Sequence, residues 1–149
     1  VNMIEKAVAD AETRMFSPEI LFTARLNPEM WSFSEQVKAT TNHAFRGTAR
    51  LAGVPIPEIS DSVETAAEMK ARIAATVAFI QSVEPASVDA GHGREITFPM
   101  GNETATLTGI SYFLGFTLPN IYFHHTTAFN ILRHNGVSVS KLDDFLGGL

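Results

Sequence analysis

The chain contains no cysteine. That excludes disulfides, thiolate metal sites and a cysteine nucleophile, and it fits a reducing compartment, so a cytoplasmic location is the expectation. No apolar run reaches the ~18 residues a spanning helix needs, and no signal peptide is visible, so no membrane association is expected. Lys and Arg number 11 against 16 Asp and Glu, for a formal charge of −5 and a pI near 5.5. The basic residues are scattered, whereas a sequence-independent hold on nucleic acid needs them clustered, so nucleic acid is not an expected partner. Also missing are a glycine-rich phosphate loop, a G-x-S-x-G turn, inward-facing acid pairs, internal repeats and any linker that would set off a second domain. What is present is 45% hydrophobic content over 149 residues. That is enough for one compact domain, residues 1–149, with a real core. Residue 1 is Val and the opening segment already reads as mid-helix, so the expectation is that native N-terminal residues precede it.

Helical periodicity dominates. Ile4, Val8, Ala11 and Met15 form a first stripe. Ser17-Pro18-Glu19 carries an N-cap, a first-turn Pro and a first-turn acid, and predicts a short turn through Phe22. Asn27-Pro28-Glu29 repeats that signal and predicts the start of a second long helix with Met30, Phe33, Val37, Thr40, Ala44, Gly47 and Leu51 inward, stopping near Gly53. Val54-Pro55-Ile56-Pro57 reads as extended linker. Thr65-Ala66-Ala67-Glu68 fits a capping box for a third helix, with Met69, Ile73, Val77 and Ile80 inward, ending before Pro85. Arg94–Met100 and Glu103–Leu107 alternate around Gly101-Asn102 as a hairpin, after a Gly91-His92-Gly93 loop. Thr108 then caps a last helix ending at Asn135-Gly136, with Val137 folding back; in the tail, Leu142, Phe145 and Leu146 are expected to dock before fraying through Gly147-Gly148. In that last helix Ile110, Leu114, Thr117, Ile121, His124, Ala128 and Ile131 step by four and three, in phase through Pro119, which predicts one long helix kinked there. The expected fold is an all-α, up-and-down four-helix bundle with a small β-hairpin before the last helix.

The candidate chemistry lies with histidines. His124 takes a core position of the last helix, His125 sits beside it, and His43 flanks the second helix's seam in a row with Gln36, Thr40, Gly47 and Arg50. Small neighbours at Thr40 and Gly47 leave His43 room to point inward, so His43 and His124 are the pair expected to face one cavity, with Thr40, Gly47, Thr117, Ile121 and His125 lining it. Each has a bland reading as a core histidine bonded to a hydroxyl or carbonyl. A helical metal site usually offers H-x-x-x-H, and here the residue four before His124 is Asn120, a poor ligand for zinc or nickel. His134 lies about 15 Å along the axis from His124 at ~1.5 Å per residue and cannot share its site; His92 is in a glycine loop. Arg46, Arg50 and Tyr122 either line a cleft or serve the surface. Trp31, Phe33 and Phe45 read as core or interface, and Asp143-Asp144 as a solvated tail.

Three stretches, NHAFRGTARLAGV (Asn42–Val54), REITFP (Arg94–Pro99) and LPNIYFHHTTAFNILRHNGV (Leu118–Val137), resemble a domain-of-unknown-function family within the DinB/YfiT-like putative metalloenzymes. The resemblance implies a four-helix bundle, often dimeric. It implies that some relatives bind a divalent metal through one His of the second helix and an H-x-x-x-H pair of the last. Others transfer or isomerise with low-molecular-weight thiols such as mycothiol, bacillithiol or glutathione. Carried over, His43 matches the second-helix ligand and His124 the second member of the pair, while the first falls on Asn120. Three functions stay open: an enzyme with zinc or nickel, or no metal, at His43, His124 and Asn120; a non-catalytic small-ligand-binding module; and a bundle whose histidines are structural. A homodimer through helix faces is expected, since Trp31, Phe116, Tyr122 and Phe123 exceed what one seam can bury.

Overall fold

The computed structural model describes residues 1–147, apart from the side chain of Asp143. Gly148, in the expected fraying tail, and the Asp143 side chain, expected in solvent, therefore lie outside the described residues. Helices α1 (Asn2–Thr13), α2 (Glu19–Thr23), α3 (Phe33–Ala52), α4 (Ala66–Ser82) and α5 (Pro85–Asp89) precede an antiparallel hairpin of β1 (Glu95–Met100) and β2 (Glu103–Thr108). A continuous helical stretch follows: α6 (Gly109–Tyr112), a π-helical turn (Phe113–Thr117) and α7 (Leu118–His134). The chain is thus mostly helical with one two-stranded hairpin before its last helix. α3 packs against both α7 and α4, and α1 touches α4 and α7. Ile4, Phe22, Phe33, Met69 and Ile131 share one apolar core; Leu51, Ile96, Phe98 and Tyr112 form a second under the hairpin.

Local signals explain most boundaries. Thr65 and Glu68 make the expected reciprocal capping box on α4, and Gly53 closes α3 at φ 69°, a left-handed conformation suited to glycine. Val137 is buried and its N–H reaches back to the Leu132 carbonyl, the fold-back expected after Gly136. The second long helix begins later than Asn27-Pro28-Glu29 predicts. That tripeptide makes a local turn, with Glu29 N donating to Asn27 Oδ1 at 3.0 Å. α3 starts only at Phe33, under a second capping box between Ser32 and Glu35. Met15 is not on the α1 stripe; the helix ends at Thr13 and Met15 is 92% exposed with φ 58°. On α4, Val77 faces out while Arg72 and Thr76 are buried, because polar groups with partners take the inward positions there.

The last helix departs from its predicted seam in one half. Pro119 lacks an N–H, and its ring crowds the carbonyl four residues back. The chain answers with the π-helical turn, in which Leu118 N reaches the Phe113 carbonyl. The extra residue in that turn rotates everything before it by about 100°. Ile110 and Leu114, expected inside, are therefore 42% and 56% exposed, and Tyr112 and Phe116 turn onto the hairpin instead. After the turn the predicted seam holds, with Thr117, His124, Ala128 and Ile131 buried. In the tail, Phe145 docks on His125 with ring centroids 4.6 Å apart, but Leu142 and Leu146 stay exposed. Asp144 is buried rather than solvated, since Lys6 Nζ donates to it at 2.8 Å and Asn2 and the Ser140 N–H also bond to it.

Candidate functional site

α7 brings His124 and α3 brings His43 together. Their ring centroids are 5.5 Å apart and the planes differ by 13°. His124 is buried, and its Nδ1 lies 2.7 Å from Gln36 Oε1. Gln36 is itself buried and uses Nε2 to donate to the Trp31 carbonyl at 3.2 Å. An amide oxygen only accepts, so Nδ1 carries the proton of neutral His124 and Nε2 keeps the lone pair. Trp31 lies over the other side of His124 at 5.3 Å, and Phe123 meets its edge at 5.2 Å. His43 makes no hydrogen bond among the described residues; it is held by His124 and by an edge contact with Phe116 at 5.5 Å.

The two rings touch, yet they open onto different hollows. His43 lines a cleft of about 340 Å³ with Trp31, Lys38, Asn42, Arg46 and Arg50, roofed by Pro99 from the hairpin. His124 lines a second depression, with Glu29, Met30 and Phe123, on the other side of Trp31. The single shared cavity expected from the sequence is divided by the indole. The other expected lining residues are dispersed. Thr40 and His125 face an apolar pocket among α1, α3, α4 and α7. Gly47 and Thr117 are packed together: a Cβ on Gly47 would collide with the Thr117 methyl group, which is why the helices close so tightly there. Thr117 Oγ1 is buried with no hydrogen-bond partner among the described residues. Ile121 is half-buried on α7. Asn120 turns its amide back on its own helix, donating to the Phe116 carbonyl at 2.7 Å.

This donor set does not fit the divalent-metal centre that the resemblance implies. His124 keeps a lone pair on Nε2, but Asn120 is a weak ligand that turns its amide to the Phe116 carbonyl, and no group of three His, Cys, Asp or Glu among the described residues could hold an ion. The imidazoles remain neutral instead. Burial pushes His43 down to about 4, helped by the neighbouring His124, Arg46 and Arg50; burial also lowers His124 and His125.

The whole chain has known kin. A family model described as Domain of unknown function (DUF1993) matches residues 1–146. The chain belongs to this family. A crystal structure of a DinB family member protein from Shewanella denitrificans superposes with a TM-score of 0.91 at 34% identity, covering 99% of this chain and 83% of that one. No curated protein matches. This DUF1993 chain is thus DinB-like in structure.

Several residues of the site escape a reading of the sequence. Gln36 enters only as a row neighbour of His43, and Asn42 only as the first residue of the Asn42–Val54 stretch, neither with a role. Trp31, expected in a core or interface, is half-exposed at the mouth of the cleft. Arg46 and Arg50 do line a cleft, while Tyr122 points outward. The one usable signal was spacing: 38, 42, 46 and 50 fall four apart, on one row of a helix.

Proposed function

We propose that this protein is a small-molecule enzyme of the transferase or isomerase type, built on an up-and-down four-helix bundle and working in the cytoplasm without a metal ion. Its working group is the neutral imidazole of His43, facing a substrate in the cleft, with His124 behind it as a positioning residue. The observation that carries this is the Gln36–His124–His43 arrangement. A tautomer fixed by an oriented amide, against a second imidazole that bonds to nothing else described, is what proton transfer to or from a bound molecule needs. The test is a panel of group-transfer and isomerisation assays with glutathione, bacillithiol and mycothiol, run in excess EDTA. Turnover should persist in EDTA and fall by about 10²-fold in His43→Gln. Strict dependence on one equivalent of metal, or full turnover by His43→Gln, would sink the proposal. A second reading, binding without catalysis, is favoured by the low basicity of His43: it accepts a hydrogen bond without taking the proton. That reading is left standing if the panel shows binding and no turnover.

The protein is further proposed to be a homodimer. Trp31, Tyr122 and Phe123 are each more than half exposed, and Trp31 and Phe123 adjoin across His124. Phe116, expected on the same face, packs instead against Phe98, Tyr112 and His43. Sedimentation at high micromolar concentration should give twice the chain mass of 16.2 kDa, and a species at 16.2 kDa would remove the idea.

A further inference from the structure

We propose that the cleft beside His43 is an anion site, in which Asn42, Arg46 and Arg50 hold the carboxylate or phosphate group of a small organic ligand whose apolar body lies along Trp31. The inference rests on the reading that this cleft takes the protein's small molecule, and it names the chemical class.

The argument starts from a buried cation outside the cleft. Arg72 of α4 is only 2% exposed and donates through Nη2 to Asn42 Oδ1 at 2.6 Å. A guanidinium only donates, so the oxygen of the Asn42 amide must face it and the NH2 group is turned the other way. Asn42 lines the cleft, and its Nδ2 bonds to no described residue. The amide is thus locked with its two donors left over. Arg46 and Arg50 follow at successive four-residue steps on the same row of α3, and both line the cleft with Asn42. Arg50 uses Nη1 on Tyr112 Oη at 2.8 Å, which leaves most of its donors, and Arg46 has a ring contact with Phe45 but no hydrogen bond. Among the described residues neither forms an ion pair. In a chain of net charge −5, uncompensated cations beside a locked amide donor need an external acceptor.

The one carboxylate lining the cleft does not supply it. Glu35 accepts from Ser32 N at 2.8 Å and pairs with Arg25 at 3.1 Å, which holds its carboxyl below the usual range and keeps it at the Lys38 end. The volume of about 340 Å³ suits a small molecule rather than a chain.

Trp31 is the sole tryptophan and lines the cleft, so its fluorescence reports binding there, and Asn42→Asp separates that signal from binding in the second depression that Trp31 also lines. The probes are benzoate, phenyl phosphate and uncharged benzamide. The two anions should quench saturably and more weakly as salt rises, and benzamide should bind at least tenfold less tightly. Whichever anion binds better identifies the acid group. Asn42→Asp keeps an oxygen for Arg72 and turns the donor face into an acceptor. It should keep its thermal midpoint and lose anion binding at least tenfold. His43→Gln should keep anion binding within threefold. Equal binding of benzamide, indifference to salt, or undiminished binding by a folded Asn42→Asp would overturn the anion site. Anion binding that survives in all respects while His43→Gln retains full turnover would instead remove the catalytic proposal and leave the anion site standing.

Discussion

Arg72→Met should lower the unfolding free energy by about 3 kcal/mol, measured by urea denaturation, since each buried acceptor left without a partner costs ~1–3 kcal/mol. Arg72 of α4 reaches two other parts of the molecule from one fully enclosed position. Nε donates to Thr41 Oγ1 at 2.8 Å and Nη2 to Asn42, both on α3. Nη1 donates to the Ser60 carbonyl and to Asp61 Oδ1 at 3.2 Å, in the extended segment between α3 and α4. The guanidinium also lies 5.9 Å from the Phe45 ring centroid. Methionine keeps the stem's volume and removes every donor. Asp61 and Ser60 are exposed and can return to water at little cost, so the loss comes from the buried Thr41 hydroxyl and the half-buried Asn42 amide. Arg72→Lys should recover less than half, because one ammonium cannot serve acceptors that diverge in this way. A loss below 1 kcal/mol for Arg72→Met would show that water replaces the guanidinium freely.

Acidification should weaken the fold of this protein before its carboxylates are titrated. His43 titrates near 6.5 when unfolded and is held down to about 4 when folded, chiefly by burial. Between those values the unfolded chain takes up a proton that the folded one refuses. The stabilisation is therefore complete above pH 6.5 and is lost as pH falls toward 4. His124 and His125 are lowered for the same reason and act in the same direction. Each full unit is worth ~1.4 kcal/mol, and His43 keeps contact with the open cleft, so about 1–2 kcal/mol is expected from it after discounting for solvent. Urea midpoints taken from pH 7.5 to 4 for the parent and for His43→Gln should converge by that amount as pH falls. Parallel curves would mean that His43 titrates normally in the folded protein. Glu35 and Asp144, both held low in the folded state, add losses only below the usual carboxylate range, so they do not confuse the upper window.

The parts of the fold readable from sequence were those decided locally. The Thr65–Glu68 box, the glycine stop at Gly53, the hairpin about Gly101-Asn102 and the fold-back at Val137 each depend on a few adjacent residues. The start of α3 was misread because two N-cap signals compete, and the reciprocal Ser32–Glu35 pair outweighs a lone Asn27. The site was legible as a meeting of His43 and His124, because both positions follow from helical phase. Its chemistry was not. Gln36, Asn42 and Arg72 matter through contacts across helices, and Arg72 sits thirty residues from the amide it orients. The basic residues looked scattered along the chain, and only coiling the backbone into α3 sets two of them beside Asn42 on one wall.

The π-helical turn at Phe113–Thr117 makes one helix speak to two audiences in different registers. Upstream, the positions that count are Tyr112 and Phe116, read against the hairpin; downstream, they are Thr117, His124 and Ile131, read against α3. Because the extra residue breaks the phase between them, the side chains that meet the hairpin and those that meet α3 come from two different stripes of one helix. The turn works like a clutch between two gears on a single shaft, with Phe116 touching both sides, since it packs on Phe98 of the hairpin and on the His43 ring, while the backbone linking them stays unbroken.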